Sequence, residues 1–134
     1  MNSKSHVVIV DASAGETYRF LASIDNLPRW ATTFCKKLTK SADGLHRLET
    51  PQGTMVFRIA PEPGPGVVDM YGGPTAEQMV YWPARVVALG PSQSAFIFTM
   101  FQWPGMPDES FEGQSRALAS ELQNVKSLVE RKAA

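Results

Sequence analysis

Cysteine and histidine are almost missing from this sequence: it has one Cys, Cys35, and two His, His6 and His46. A single thiol excludes an intrachain disulfide framework and permits a reducing compartment. The three residues lie far apart in the chain, so no zinc-ligand spacing exists and no metal or other cofactor is expected. Excess charge of either sign is missing too, since 13 Lys and Arg balance 13 Asp and Glu. A nucleic-acid binder needs a concentrated positive face, and that class is set aside. No apolar run approaches the roughly 18 residues of a membrane-spanning helix. Met1 to His6 is polar and carries no apolar core of a signal peptide. A soluble, cytoplasmic protein is the expectation. Repeats, linkers and low-complexity segments are absent as well, so residues 1–134 read as one domain. With 43% hydrophobic and 19% charged residues, such a chain can bury a core unaided by disulfides.

What is present begins with the last stretch, Asp108 to about Lys132. Phe111, Leu118, Leu122, Val125 and Val129 recur in threes, fours and one seven, the period of a single helical face. Gln114 and Ser115 interrupt the stripe in the seven-residue gap. Pro107 and Asp108 supply a start signal, with Glu109 and Glu112 near the positive end and Lys126, Arg131 and Lys132 near the negative one. Gly113 departs from the pattern, at about 1 kcal/mol against Ala in a helix interior. Its place there suits close approach of another segment, a ligand, or nothing at all.

The remainder alternates differently. His6 to Asp11 is β-branched and apolar on both faces, hence a strand with neither face fully solvated. Ser13 and Glu16 have capping-box spacing for a helix over Gly15 to Ser23, with Tyr18, Leu21 and Ala22 on one face. Asp25 and Asn26 open a second short helix holding Leu27, Trp30, Ala31 and Phe34, with Pro28 in its first turn. Strands follow over Leu38–Lys40, Leu45–Thr50 and Thr54–Ala60, separated by Asp43-Gly44 and Pro51-Gln52-Gly53 turns. In the third, Met55, Phe57 and Ile59 form the buried side of an alternation. Pro61 to Gly66 reads as a loop, and Val67 to Tyr71 as a strand closed by Gly72-Gly73-Pro74. Gln78 to Leu89 is a long strand in which Pro83 demands a bulge or an edge. Ser94 to Trp103 is the most apolar strand. Short turns pair consecutive strands antiparallel. The expected architecture is α+β: a curved antiparallel sheet of seven strands wrapped around the long C-terminal helix, with two short helices between strands 1 and 2.

This order resembles the helix-grip domains of the START-like, or SRPBCC, superfamily. Several stretches look like its polyketide cyclase/dehydrase-like branch. They are Asn26-Leu27-Pro28-Arg29-Trp30-Ala31 with Phe34, Thr50-Pro51-Gln52-Gly53, Gly66-Val67-Val68-Asp69, Ala84-Arg85-Val86-Val87, and Phe96 to Gln102 running to Pro104-Gly105-Met106. The resemblance covers nearly the whole chain. It implies a mostly apolar cavity between the sheet and the last helix, holding a small hydrophobic molecule. It does not imply catalysis, because such folds host many functions.

Candidate ligand-binding residues follow from that cavity. Trp30 and Phe34 would line its mouth or belong to the core; Phe57, Phe98, Phe111, Gly113 and Leu118 are the apolar candidates on the strands and the helix. Asp69 and Arg85 each interrupt an apolar strand. Either they form an ion pair, or they anchor a ligand's polar group, Arg through its fork of donors. His46, Tyr81 and Gln102 complete the polar set, with Thr99 beside Gln102. The catalytic residues stay unassigned, for no nucleophile elbow accompanies His46 and Asp69. Cys35 next to Lys36 and Lys37 either has a lowered pKa or is packing. Ala95, Ile97, Phe101 and Trp103 give the last strand a second apolar face, extended by Tyr81 and Trp82, which points to a homodimer through the outside of the sheet. The leading expectation is a carrier or sensor of an apolar molecule. An enzyme resembling polyketide cyclases or dehydratases, using Arg85, Asp69, His46 and Tyr81, is the alternative. A module acting on another protein is a third reading.

Overall fold

A computed structural model of the chain describes residues 1–133. Strand β1 (Ser3–Val10) leads into helix α1 (Ala14–Ala22), a single 3-10 turn (Ile24–Asn26) and the one-turn helix α2 (Leu27–Trp30). Then come β2 (Lys37–Thr39), β3 (His46–Thr50), β4 (Gly53–Glu62), β5 (Val67–Thr75), β6 (Gln78–Trp82), β7 (Ala84–Gly90) and β8 (Gln93–Phe101), and the long helix α3 (Asp108–Ala133). All strand pairs are antiparallel, in the order β1-β8-β7-β5-β4-β3-β2, with β6 beside β5. The chain is α+β, with the long helix gripped by the sheet. No helix among the described residues is long and apolar enough to cross a membrane.

The expected sixth strand, Gln78 to Leu89, is broken into β6 and β7 at Pro83. The register that pairs Met70 with Trp82 and Val67 with Arg85 is one register, and it sets Asp69 opposite Pro83. Proline has no N–H to donate to the ladder, so pairing lapses there. Asp69 repairs the gap: one carboxylate oxygen accepts the Ala84 N–H at 2.9 Å and the other the Tyr81 hydroxyl at 2.9 Å. Asp69 and Arg85 form no ion pair. Arg85 donates instead to the Pro65 carbonyl at 3.2 Å. Both belong to the outer face, since Val68, Met70, Ala84 and Val86 alternate with them and are buried.

Other boundaries also moved. β5 runs on through Gly72-Gly73-Pro74 rather than stopping there, because β6 folds back so closely that a Cβ on Gly73 would lie 1.8 Å from the Gln78 carbonyl oxygen. β4 takes in Pro61 and Glu62, which leaves a shorter turn ending at Gly66. That glycine has φ +77° and sits against the Val86 carbonyl, so no side chain fits.

The helices are held from both ends. Ser13 caps α1 as its spacing predicts, accepting the Glu16 N–H at 3.2 Å while its hydroxyl donates to the Glu16 carboxylate. The buried face of α1 is Thr17, Phe20 and Leu21, with Tyr18 and Ala22 only partly covered. Thr17 and Ser94 share a hydrogen bond of 2.9 Å deep in the core, and Ser94 also donates to the Ala12 carbonyl. Phe111, Leu118, Leu122, Val125 and Val129 of α3 are all buried against the sheet and the short helices. Burying four or five such side chains contributes several kcal/mol. Ser115, in the gap of that stripe, is buried and meets His6 of β1 at 3.0 Å. At the far end Lys126 donates to the Ile9 carbonyl, and Glu130 accepts the Asp11 N–H at 2.7 Å.

Candidate functional site

The inner faces of β4, β5, β6 and β8, the α2 segment and α3 do not close on one another completely. Between them lies a cavity of about 550 Å³. Its wall holds Leu27, Trp30, Ala31 and Phe34 from the α2 region, Met55 and Phe57 from β4, and Met70 from β5. Val80 and Trp82 of β6, Phe98 and Met100 of β8, and Trp103 and Met106 of the following loop continue it. Helix α3 closes it with Ser110, Gly113, Gln114, Ala117, Leu118 and Glu121. Phe34, Phe57 and Trp82 form a ring cluster, with centroids 5.8, 5.8 and 6.2 Å apart. Trp30 stands edge-on to Phe96 behind the wall. Four methionines in the lining give it side chains that adapt their shape at low cost.

Of the residues singled out from the sequence, Trp30, Phe34, Phe57, Phe98, Gly113 and Leu118 lie in the cavity wall. His46, Asp69, Tyr81, Arg85, Gln102 and Phe111 do not. His46 accepts the Ser41 N–H through Nδ1 at 3.0 Å and so ties the β2–β3 turn. Asp69, Tyr81 and Arg85 lie on the outer face, where Arg58, Tyr71 and Tyr81 form a cross-strand row. There the Arg58 guanidinium lies 4.1 Å from the Tyr71 ring centre, and the two tyrosines stack at 5.0 Å. Desolvation and the Asp69 hydrogen bond push the Tyr81 phenol up to about 12. Gln102 is taken up by Asn2, the Met106 carbonyl and Asp108, at 2.8, 3.0 and 2.7 Å. Thr99 bonds Ser5 across the sheet at 2.7 Å. Phe111 is buried beneath Lys4, away from the cavity. Cys35 follows α2 and is buried. Burial, with the nearby charge of Glu121, raises its pKa over the lowering effect of a backbone N–H at Lys37, so the adjacent lysines do not activate it. Trp82 and Trp103, read as outer-face residues, are cavity residues: Trp82 alternates with Tyr81, and Trp103 lies beyond the end of β8.

The candidate group that sequence reading passed over is Glu121. It is 4% exposed on α3, and among the described residues its side chain is the single ionisable one in the cavity wall. Both of its protein hydrogen bonds go to Oε2, from the backbone N–H groups of Thr33 at 3.2 Å and Phe34 at 3.1 Å. Burial pushes its carboxyl above the usual carboxylate range, against the opposing pull of those N–H groups and of Lys36. The signal was in the helical wheel. Glu121 falls three residues after Leu118 and four before Val125, on the apolar stripe itself. Gln114, seven before it, shares that line and fills part of the gap noted in the stripe. The arrangement provides a predominantly apolar chamber with one carboxyl group whose pKa burial raises.

No protein-family model and no curated protein matches the sequence. Solved structures do match its shape. The Zhui aromatase/cyclase from Streptomyces sp. R1128 superposes with a TM-score of 0.76 at 18% identity, covering 99% of this chain and 96% of that one. The Aha1 dimer from Colwellia psychrerythraea gives 0.72 at 17% identity, with 97% of each chain covered. A START superfamily protein from Mycobacterium smegmatis gives 0.66 at 18%, over 95% of this chain and 98% of its own. At these identities what is shared is the fold, and the chain has a START-like helix-grip fold.

Proposed function

We propose that this chain binds a small hydrophobic molecule in the cavity between sheet and α3, as a carrier or sensor. The observation that carries the reading is the cavity itself, about 550 Å³ with an aromatic and methionine-rich wall. A volume of that order is typical of sites for drug-sized ligands. The likeness in fold to a START superfamily protein and to an aromatase/cyclase agrees with it. Native mass spectrometry of protein purified gently from its own host tests the proposal. A co-purifying apolar molecule, displaced by a fluorescent apolar probe at one per chain, is expected. Leu118→Trp, which fills the space, should abolish both. A probe that binds the Trp variant as tightly as the unaltered chain would remove the cavity from the account.

A second reading has one specific observation behind it. Glu121 carries a carboxyl with a burial-raised pKa inside an apolar chamber, and an upward shift is the direction a carboxyl general acid needs. If the chain is a cyclase- or dehydratase-like enzyme, Glu121 is the group to hold the proton, and the outer-face set of Arg85, Asp69 and Tyr81 is not. Turnover of a poly-β-ketone analogue that is lost in Glu121→Gln, with binding retained, would select this reading over the carrier.

The outer face supports a partner proposal. Val7, Ile9 and Leu89 are exposed, 57%, 42% and 51% respectively, on the β1-β8-β7 end of the sheet. Two copies joined through that face would cover them.

A further inference from the structure

The charge inventory of the cavity says more about its occupant than its volume does. Among the described residues no Lys, Arg or His lines the wall, and Glu121 is its one ionisable side chain. An anionic ligand such as a fatty acid would have to shed water beside a carboxylate and find no cation to receive it, an uncompensated cost. A neutral ligand would gain apolar contact and could reach the Gln52, Ser110 and Gln114 side chains of the wall, but would leave the Glu121 carboxylate without a charged partner. A cation gains twice. Glu121 bonds the backbone of Phe34 at 3.1 Å, and the Phe34 ring belongs to the cluster with Phe57 and Trp82. The carboxylate is thereby fixed on the same segment that carries aromatic faces into the cavity, and such faces attract positive charge most strongly where water is excluded. Glu121 Oε1 takes neither of the two backbone hydrogen bonds and is left for a ligand. The cationic groups nearby are committed elsewhere. Lys36 caps the Thr32 carbonyl at 3.1 Å, and Arg58 and Arg85 occupy the outer face.

We propose that the cavity takes an apolar organic cation, a protonated or quaternary amine on an aromatic or alicyclic body, with Glu121 as its counter-ion and the Phe34, Phe57 and Trp82 rings packed against it. This rests on the reading of the cavity as a ligand site and names the class of ligand. Amine nitrogens with hydrogens donate to Oε1; quaternary nitrogens pair with the carboxylate through charge alone.

A matched series of probes tests it by calorimetry on the full chain: a trimethylammonium group carried on naphthalene, its uncharged tert-butyl isostere, and a naphthyl carboxylate of the same length. The ammonium probe is expected to bind about tenfold or more tightly than the isostere, and the carboxylate weakest of the three. Glu121→Gln keeps an acceptor for Thr33 and Phe34 but not the charge, and should erase the ammonium preference while leaving the isostere within about twofold. Equal binding of ammonium and isostere to the unaltered chain overturns the proposal. So does a Gln variant that loses both probes equally, for Glu121 would then act only by shaping the wall. If none of the three binds, the cavity reading itself fails, an outcome separate from loss of charge preference. Should the variant not fold, a pH series on the unaltered chain decides. The charged and titratable groups about Glu121 are Lys36 and Cys35, the latter with its pKa raised by burial. Ammonium affinity should therefore fall as acid protonates Glu121, and isostere affinity should stay flat. A parallel fall of both overturns the proposal.

Discussion

Tyr81 donates its hydroxyl to Asp69 at 2.9 Å, beside the position where Pro83 interrupts the pairing of β5 with its neighbour. The carboxylate thus bridges a side chain of β6 and the backbone of β7, and holds the broken strand in a single register. Tyr81→Phe removes one of its two bonds and should cost about 1.5–3 kcal/mol, the range for a hydrogen bond to a charged group. Asp69→Ala removes both and should cost more. Arg85→Met, by contrast, should shift the melting temperature little, since Arg85 pairs with no carboxylate here. Urea denaturation of the three variants checks the order.

Glu121 gives a pH signature. Its carboxyl is raised above 4.5 in the fold, so in the window just above that value the unfolded chain has released the proton that the folded chain keeps. The folded state binds more protons there, and stability from this group, full below 4.5, is lost as pH rises through the folded pKa. Glu121→Gln lacks that loss. Melting curves from pH 4 upward should show the unaltered chain falling relative to the variant; parallel curves would mean that Glu121 titrates as a solvated carboxyl does.

Leu122 and Leu118 lie one turn apart on α3 yet differ in surroundings. Leu122 is 2% exposed in solid core, whereas Leu118 borders the cavity. Leu122→Ala should cost about 2–5 kcal/mol, with Leu118→Ala at or below the lower end because its site adjoins space already open. The second variant should also accept bulkier probes. Chemical denaturation and probe titration separate the two effects.

Two glycines should respond oppositely to alanine. A Cβ on Gly113 would meet only the Arg116 guanidinium at 3.8 Å, ordinary contact, so Gly113→Ala should stabilise by up to about 1 kcal/mol while its methyl trims the cavity. Gly73→Ala drives a methyl into the Gln78 backbone and should unfold the β5–β6 hairpin. Thermal melts of both decide whether Gly113 is a weak helix residue or a required gap.

For the outer face, sedimentation should show a concentration-dependent dimer that Ile9→Lys reduces to a monomer. A monomer at every concentration would leave Val7, Ile9 and Leu89 as a bare patch.

How much of this was legible beforehand differs by element. Periodicity alone marked α3 and its buried stripe, because burying one face of a helix forces a repeat of threes and fours whatever lies opposite. The Ser13 cap and the Asp43-Gly44 turn were equally plain, since their bonds run within a few residues. Antiparallel pairing of consecutive strands followed from short connections, and the START-like architecture from the resemblance of several stretches, but the pairing of β1 with β8 across most of the chain was not read. Alternation also separates Tyr81 from Trp82, yet a strand apolar on both sides hides which side is inward.

Contacts between distant segments could not be read this way. Asp69 and Arg85 looked like partners because both break apolar strands, but the Pro83 gap offered Asp69 a backbone N–H and a phenol at closer range. Glu121 drew no attention in the sequence. Only the arrival of the Thr33-Phe34 backbone, 88 and 87 residues away in the chain, makes its burial tolerable and its carboxyl part of a cavity. A sequence records which residues are apolar and how often they recur; it does not record which backbone amides a side chain will meet. That is settled when the sheet curves and α3 comes down on it, and there the cavity and its one carboxylate come into being together.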